Sequence, residues 1–284
     1  MAQTLTNTTI AKIEQALIEE REEGTLRTSV MTHLVWAPKP WLKAAESTLA
    51  ALEERHPSRT VLLTPRPELK DGLDAFVDLR TFDVEDSTRR IGSEVVRVRL
   101  KGARAHAPAS VVSPLLISDL PVFCRWRGEP AWGKPELEQI VKVVDRFVVD
   151  SGEWKSLPGC YDRLAGLFES VAVSDIAWTR TRAWRVRLAG LWPEIRLVGR
   201  LEVAGPKADA LLLAGWLRSR LRKHVDLDFK PGKTVRRVAV DGVRVTLPVA
   251  DDLTASDLLS EQLDVFGRDP IYEAAVVAAT TAAS

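Results

Sequence analysis

The sequence predicts an α/β protein in which a mainly parallel N-terminal sheet with flanking helices precedes a smaller C-terminal α+β domain. In the first half, short apolar runs alternate with amphipathic helical segments, which is the order of elements in a parallel sheet. In the second half, two apolar strands are joined by Asp241-Gly242, a dipeptide typical of a two-residue hairpin turn. Hydrophobic residues make up 45% of the chain, enough for a sizeable core.

The N-terminal half begins with a predicted helix over residues 8–22, because Ile10, Ile13 and Leu17 recur at helical spacing with glutamates outside them. Strands and helices then alternate, separated mainly by prolines and glycines. In chain order they are strand 27–36, helix 41–55, strands 60–64, 75–79 and 94–100, helix 109–117, strand 120–126, helix 136–144 and strand 147–150. Strand 94–100 alternates apolar residues with arginines, so one of its faces should be solvated.

Residues 151–160 contain two glycines and a proline and form the best candidate for a domain boundary. The elements expected after them are helix 161–170, a Trp/Arg-rich segment at 174–193, strand 195–203, helix 207–222, hairpin strands 235–240 and 243–247, helix 256–266 and a last helix that starts at Pro270. Asp269 suits the N-cap of that last helix, and Pro270 suits its first position. We therefore predict an N-terminal helix at 1–24, an α/β domain at 25–152 and an α+β domain at 161–284.

The charge balance argues against two classes of partner. The chain has 40 basic and 39 acidic residues, a net charge of +1, whereas nucleic-acid-binding proteins normally have a basic excess and basic clusters mark attachment to anionic membranes. Its N-terminus lacks the basic start and apolar run of a signal peptide, and no apolar run approaches the roughly 20 residues that span a bilayer. We expect a cytoplasmic protein that binds neither nucleic acid nor membrane.

No pattern in the sequence predicts catalysis, a cofactor or a metal. The four histidines are scattered, and none occurs as HxxxH or HExxH. Glycine-rich phosphate loops and the GxSxG nucleophile elbow are also missing. Cys124 lies in an apolar strand and should be a buried, unreactive thiol, while Cys160 is expected in a more exposed loop. We therefore expect no catalytic, cofactor-binding or metal-binding residues.

The segment 174–193 is the least ordinary part of the sequence, with three tryptophans and four arginines. If it is one helix, Trp184 and Leu188 share a face that is bordered by arginines. Two interpretations stay open. The helix could pack into the core with arginine stems covering its apolar flanks, or its side chains could form a contact surface, since Trp and Arg are enriched at binding hot spots.

Six short segments, spread over nearly the whole chain, carry a resemblance to a known family. The most specific is Asp175-Ile176-Ala177-Trp178-Thr179-Arg180, followed by Ala183-Trp184-Arg185. The other five lie within residues 27–32, 120–128, 145–151, 214–221 and 267–272. Together and in this order they resemble the OpcA family, the assembly or activator proteins of glucose-6-phosphate dehydrogenase.

The resemblance implies a non-enzymatic cytosolic protein whose partner is glucose-6-phosphate dehydrogenase, the NADPH-producing enzyme that opens the oxidative pentose phosphate pathway. Such an activator must bind the active conformation of the enzyme more tightly than the inactive one. On this interpretation we expect a candidate partner interface made of Trp126, Trp178, Arg180, Trp184, Arg185 and Arg268.

Two other functions stay open. An enzyme or ligand-binding protein could hold a sugar- or nucleotide-phosphate at the strand ends of the N-terminal sheet, with Arg125, Arg127 and Arg146 as anion binders. A nucleic-acid module could use the alternating tryptophans and arginines, although the near-neutral charge argues against it.

Overall fold

A computed structural model of the chain describes residues 2–19, 25–27, 29–52, 55–56, 58–83, 90–247 and 253–280. The chain forms two compact units, Met1–Val148 and Val149–Ser284. The domain bounds expected from the sequence (1–24, 25–152 and 161–284) stay predictions of where independently folding domains begin and end.

The first unit alternates strands and short helices, as the sequence predicts. In chain order they are β1 (Gln3–Leu5), α1 (Ile10–Glu19), β2 (Thr25–Arg27), β3 (Thr32–Trp36), α2 (Leu42–Ala50), β4 (Arg59–Arg66), β5 (Gly72–Asp83), β6 (Arg90–Lys101), α3 (Ala109–Val112), β7 (Val122–Trp126), α4 (Pro135–Val141) and β8 (Arg146–Val149). The strands lie in the order β1-β5-β6-β4-β3-β7-β8, with β2 beside β6.

The sheet of this unit is mainly parallel, which confirms the predicted fold class. Strands β6, β4, β3, β7 and β8 run parallel to one another, and β5 and β1 add antiparallel strands at one edge. Leu34 on β3 and Val61 on β4 are fully buried, as expected for central strands covered on both faces. On β6, Arg97 and Arg99 are partly exposed, so the expected solvated side is also present.

Two predicted elements of the first unit are shorter than expected. Of the strand expected at 27–36, only Thr32–Trp36 forms β3, which lies between β4 and β7. Arg27 instead ends β2, which pairs with β6. The helix expected at 109–117 is α3 followed by a 3₁₀ turn at Ser113–Leu115. Pro114 lies in that turn and has no backbone N–H for the helical hydrogen bond.

The second unit combines a small mixed sheet with helices. Its elements are α5 (Cys160–Ala165), β9 (Ala172–Asp175), α6 (Ile176–Arg180), α7 (Arg182–Ala189), β10 (Arg200–Gly205), α8 (Lys207–Leu221), β11 (Asp226–Pro231), β12 (Arg237–Val240), β13 (Val243–Val245), α9 (Ala255–Leu263) and α10 (Pro270–Thr280). The sheet order is β11-β10-β12-β13. Helix α8 packs on this sheet through a shared core that includes Leu201, Val203, Leu213, Leu217 and Val238.

Two short sequence signals in the second unit, a hairpin turn and a helix N-cap, have the conformations that the sequence predicts. The hairpin turn at Asp241 and Gly242 has φ angles of 48° and 84°, the left-handed values that a two-residue turn between antiparallel strands requires. At the start of α10, Asp269 Oδ1 accepts hydrogen bonds from the backbone N–H groups of Ile271 (2.9 Å) and Tyr272 (3.0 Å), so the predicted N-cap is confirmed.

Two expectations for the second unit are wrong. The strand expected at 195–203 begins only at Arg200, because Glu194–Leu197 form a 3₁₀ turn in which the Ile195 N–H bonds to the Leu191 carbonyl (2.9 Å). Cys160 is not exposed in a loop: it starts α5, and its side chain is buried.

Helices α8 and α10 approach closely at Gly215. A Cβ atom on that residue would lie 2.1 Å from the carbonyl oxygen of Ala275, so only glycine permits this approach. Within the described ranges, none of the helices is both long and apolar enough to cross a bilayer.

Candidate functional site

The Trp/Arg-rich segment 174–193 forms two short helices, α6 and α7, that meet at Thr181. The buried Thr181 hydroxyl donates to the Trp178 carbonyl (2.9 Å), and the Arg185 guanidinium donates to the same carbonyl and to the Thr181 hydroxyl. These side-chain bonds satisfy backbone groups at the break between the helices. The single helix considered from the sequence is therefore wrong.

Asp175 is the N-cap of α6 and lies in the interior of the second unit. Its Oδ1 accepts hydrogen bonds from the backbone N–H groups of Ala177 (2.8 Å) and Ser151 (3.0 Å), and the Tyr272 hydroxyl lies 3.5 Å from its Oδ2. Burial, with the charge of Asp150 adding to it, raises the pKa of Asp175 to about 7. This carboxyl therefore holds the start of α6 against two other parts of the unit.

Arg180, at the end of α6, bridges two carboxylates. Its guanidinium donates to both carboxylate oxygens of Asp150, at 2.9 and 3.0 Å, and to those of Asp209 on α8, at 3.0 and 3.3 Å. Burial alone would lower the pKa of Arg180, but the two aspartates raise it above its ordinary value. A Cβ atom on Gly152 would lie 2.6 Å from Arg180 Nη2, so the glycine leaves room for the guanidinium.

A second cluster surrounds Trp178 in the same unit. The indole N–H donates to Asp269 Oδ2 (2.9 Å), the Arg185 guanidinium carbon lies 3.3 Å from the ring centroid, and the Tyr272 ring is 5.7 Å away. Burial lowers the pKa of Arg185 to about 9. Trp178 is 8% exposed, so its ring joins α6, α7 and the start of α10 inside the unit.

The remaining sequence-predicted residues do not join these clusters. Trp184 packs in the core between α7 and the second sheet. Trp126 belongs to the first unit, is 1% exposed and stacks on Trp36, with ring centroids 4.7 Å apart. Arg268 is the exposed member of the set: it forms two 2.7 Å hydrogen bonds with Glu273 and lines an open groove of about 520 Å³ beside α5 and α10.

Sequence reasoning missed an exposed aromatic group at the end of the same segment. Trp192 is 61% exposed and Leu197 is 85% exposed, while the Arg196 guanidinium carbon lies 5.4 Å from the Trp192 ring centroid. The Lys223 ammonium donates to the Arg196 carbonyl (3.3 Å). We call these four residues the Trp192 patch. Pro193, which ends the helical pattern beside Trp192, was the available signal that this tryptophan leaves the core-facing helix.

The three arginines considered as anion binders lie in the first unit and are buried. Arg125 donates to the Trp126 carbonyl, and the Arg127 guanidinium carbon is 5.2 Å from the Trp41 ring centroid. Arg146 is 2% exposed. Nearby on the sheet, burial lowers the pKa of His33 to about 3, with the charges of His56 and Arg125 adding to the effect. An anion-binding role for these arginines stays a prediction.

The cysteines and carboxylates of the described residues show no metal-binding group. No set of three or more His, Cys, Asp or Glu side chains is arranged there so that it could hold a metal ion. Cys124 is confirmed as a buried thiol, and burial raises its pKa to about 12, so it is protonated at neutral pH.

These features define a class of protein: a two-unit α/β protein whose charged clusters join helices of the second unit and whose exposed Trp and Arg side chains suit a protein contact. Residues 49–166 match the family model described as glucose-6-phosphate dehydrogenase subunit N-terminal domain. Residues 171–253 match the model for the C-terminal domain of the same subunit. The two models together match more than two thirds of the chain, and the chain belongs to the OpcA family.

Curated relatives agree with this assignment. Proteins named OxPP cycle protein OpcA from Nostoc punctiforme and Synechocystis are 26% and 25% identical to this chain, over 59% and 75% of its length. A protein of the same name from Synechococcus elongatus is 28% identical over 45% of the chain. The matched regions make up 38%, 46% and 31% of the three relatives, so the chain spans less than half of their length. No solved structure matches the chain.

Proposed function

We propose that this chain is a cytoplasmic, non-catalytic partner of glucose-6-phosphate dehydrogenase that supports assembly or activity of the enzyme in the oxidative pentose phosphate pathway. The observation that carries this proposal is the match of both family models, in the order expected of one subunit, to residues 49–166 and 171–253. The names of the relatives, which refer to the OxPP cycle, support the same pathway.

A non-catalytic role is supported by how the polar groups of the second unit are used. One guanidinium, that of Arg180, binds both Asp150 and Asp209, and Asp175 accepts two backbone hydrogen bonds. Groups engaged in this way join α6 and α8 to the start of the unit, whereas a general acid or base must be able to reach a substrate proton.

For the six residues expected at the interface, we propose two kinds of contribution. Arg268 is exposed, so it can contact the dehydrogenase directly. Trp178, Arg180 and Arg185 instead hold α6, α7 and α10 in place. They would therefore stabilise the proposed contact surface without touching the dehydrogenase. Trp126 and Trp184 would act in the same indirect way through the cores that contain them.

The test is to mix the purified chain with the dehydrogenase of the same organism and to measure complex formation and activity together. We expect co-elution on size exclusion and a change in kcat or KM that saturates with added chain. If the chain tightens the binding of a substrate or coenzyme to the dehydrogenase, that ligand should tighten the binding of the chain by the same factor, because linkage is reciprocal. Absence of both a complex and a kinetic effect would contradict the proposal.

A further inference from the structure

We infer that the Trp192 patch is a docking surface for an acidic protein face, and we assign that face to the dehydrogenase, so this inference rests on the function proposed above. The four residues Trp192, Arg196, Leu197 and Lys223 combine an exposed ring, an exposed aliphatic side chain and two cations. Trp and Arg are the residues most enriched among binding hot spots.

The exposure of the patch sets it apart from ordinary scattered apolar residues. Single exposed apolar side chains are normal on protein surfaces, but here Trp192 at 61% and Leu197 at 85% lie within six residues of each other. A tryptophan can bury about 150 to 250 Å² when a partner covers it. Covering both side chains would remove a substantial apolar area from water.

The backbone beneath the patch is ordered by the unit's own core. Ile195 and Val198, which lie on either side of Arg196 and Leu197 in the chain, are 5% and 1% exposed and pack with the second sheet. Backbone hydrogen bonds from Ile195 to Leu191 (2.9 Å) and from Arg196 to Pro193 (3.1 Å) close the turn. A surface that is already ordered loses little conformational entropy on binding.

The charge of the patch selects the chemistry of the partner. Neither Arg196 nor Lys223 forms a salt bridge with any residue that the structure describes, so both cations can pair with carboxylates of a partner. Arg196 lies beside the Trp192 ring, where a cation–π contact holds the guanidinium against the indole. A partner face with carboxylates around an apolar side chain complements this arrangement.

The groove beside Arg268 fits an acidic partner less well. There the guanidinium is already bound by both carboxylate oxygens of Glu273, and Glu169 also lines the groove. An acidic partner would meet two carboxylates at that groove. The Trp192 patch instead offers two cations that form no salt bridge with a described residue, beside one exposed carboxylate, that of Glu194. The difference in charge therefore favours the patch.

The experiment compares three variants with the wild-type chain in binding to the dehydrogenase. Trp192→Ala removes the ring, Arg196→Glu reverses a charge in the patch, and Arg244→Glu makes the same reversal at an exposed position of strand β13 as a matched control. We expect a Kd about 30-fold weaker for Trp192→Ala. For Arg196→Glu we expect slower association at low salt and a smaller penalty at high salt. The control should stay within about 2-fold of wild type, because a charge outside the contact changes binding little.

The outcomes separate this inference from the proposed function. Equal binding by wild type and all three variants would overturn the docking surface and leave the proposed function standing. No binding by wild type would overturn both. If Trp192→Ala instead lost binding to a generic single-stranded oligonucleotide while it still bound the dehydrogenase, the patch would be a nucleic-acid surface and the inference would be wrong. Unchanged thermal unfolding of Trp192→Ala would show that a loss of binding is local.

Discussion

Replacing Arg180 by alanine would remove four hydrogen bonds and leave two carboxylates close together inside the second unit. The side chains of Asp150 and Asp209 are only 14% and 2% exposed, so water can replace few of the hydrogen bonds that the guanidinium donates to them. Removing one partner of a buried ion pair costs about 3 to 5 kcal/mol. Because the Arg180 side chain is 27% exposed, we expect the lower value, about 3 kcal/mol.

The loss should be visible in thermal and urea unfolding followed by circular dichroism. At about 3 °C for each kcal/mol in a unit of this size, the midpoint should fall by about 10 °C. The loss should also grow with pH. Without the guanidinium, burial raises the pKa of Asp209 further above its unfolded value, and a carboxyl with a raised folded-state pKa loses its stabilising contribution as the pH rises through that pKa.

Arg182→Ala provides a matched control two residues away. Arg182 pairs with Glu261 at 3.1 Å, but its side chain is 65% exposed, and a surface ion pair contributes at most about 1 kcal/mol. Arg180→Lys keeps the charge but loses the two-pronged geometry, so its stability should be intermediate. Equal stability of the Arg180→Ala and Arg182→Ala variants would refute the argument that the bridged aspartates hold the unit together.

Three further predictions concern stability and reactivity. Because the folded pKa of Asp175 is about 7 against an ordinary 3.8, its contribution to the unfolding free energy is fully present below about pH 4 and is lost as the pH rises through about 7, by up to about 4 kcal/mol. Asp175→Asn should flatten the pH profile of urea unfolding in that range, and an unchanged slope would contradict the assignment. Gly215→Ala should destabilise the protein by about 1 to 3 kcal/mol, because its Cβ would collide with a carbonyl of α10. Gly267→Ala, where a Cβ meets nothing within 4 Å, should leave the unfolding temperature in differential scanning calorimetry unchanged. Equal effects of Gly215→Ala and Gly267→Ala would contradict the close helix contact. Cys124 and Cys160 are both buried, so a thiol reagent should label neither until denaturant is added, and rapid labelling of the native protein would show that one is accessible.

Much of the fold could be predicted because its signals are local. The continuous apolar run of β4 needs only its own residues to indicate a strand covered on both faces. The Asp241-Gly242 turn and the Asp269 cap likewise depend on short-range backbone chemistry. The prediction failed at residues 27–36, where pairing partners elsewhere in the chain decide which residues join the strand, and at residues 195–197, where a 3₁₀ turn precedes the strand.

The candidate site divides in the same way. The sequence by itself determined that residues 174–193 are unusual and that the chain resembles the OpcA family. Only the tertiary structure decided which tryptophan is exposed: Trp178 and Trp184 are buried at 8%, whereas Trp192 is 61% exposed. All three have the same side chain, and their burial depends on α8, α10 and the second sheet, which reach this segment from elsewhere in the sequence. The partners of Arg180 lie 30 and 29 residues away, and since such long-range contacts form only when the unit folds, no local pattern could have identified them.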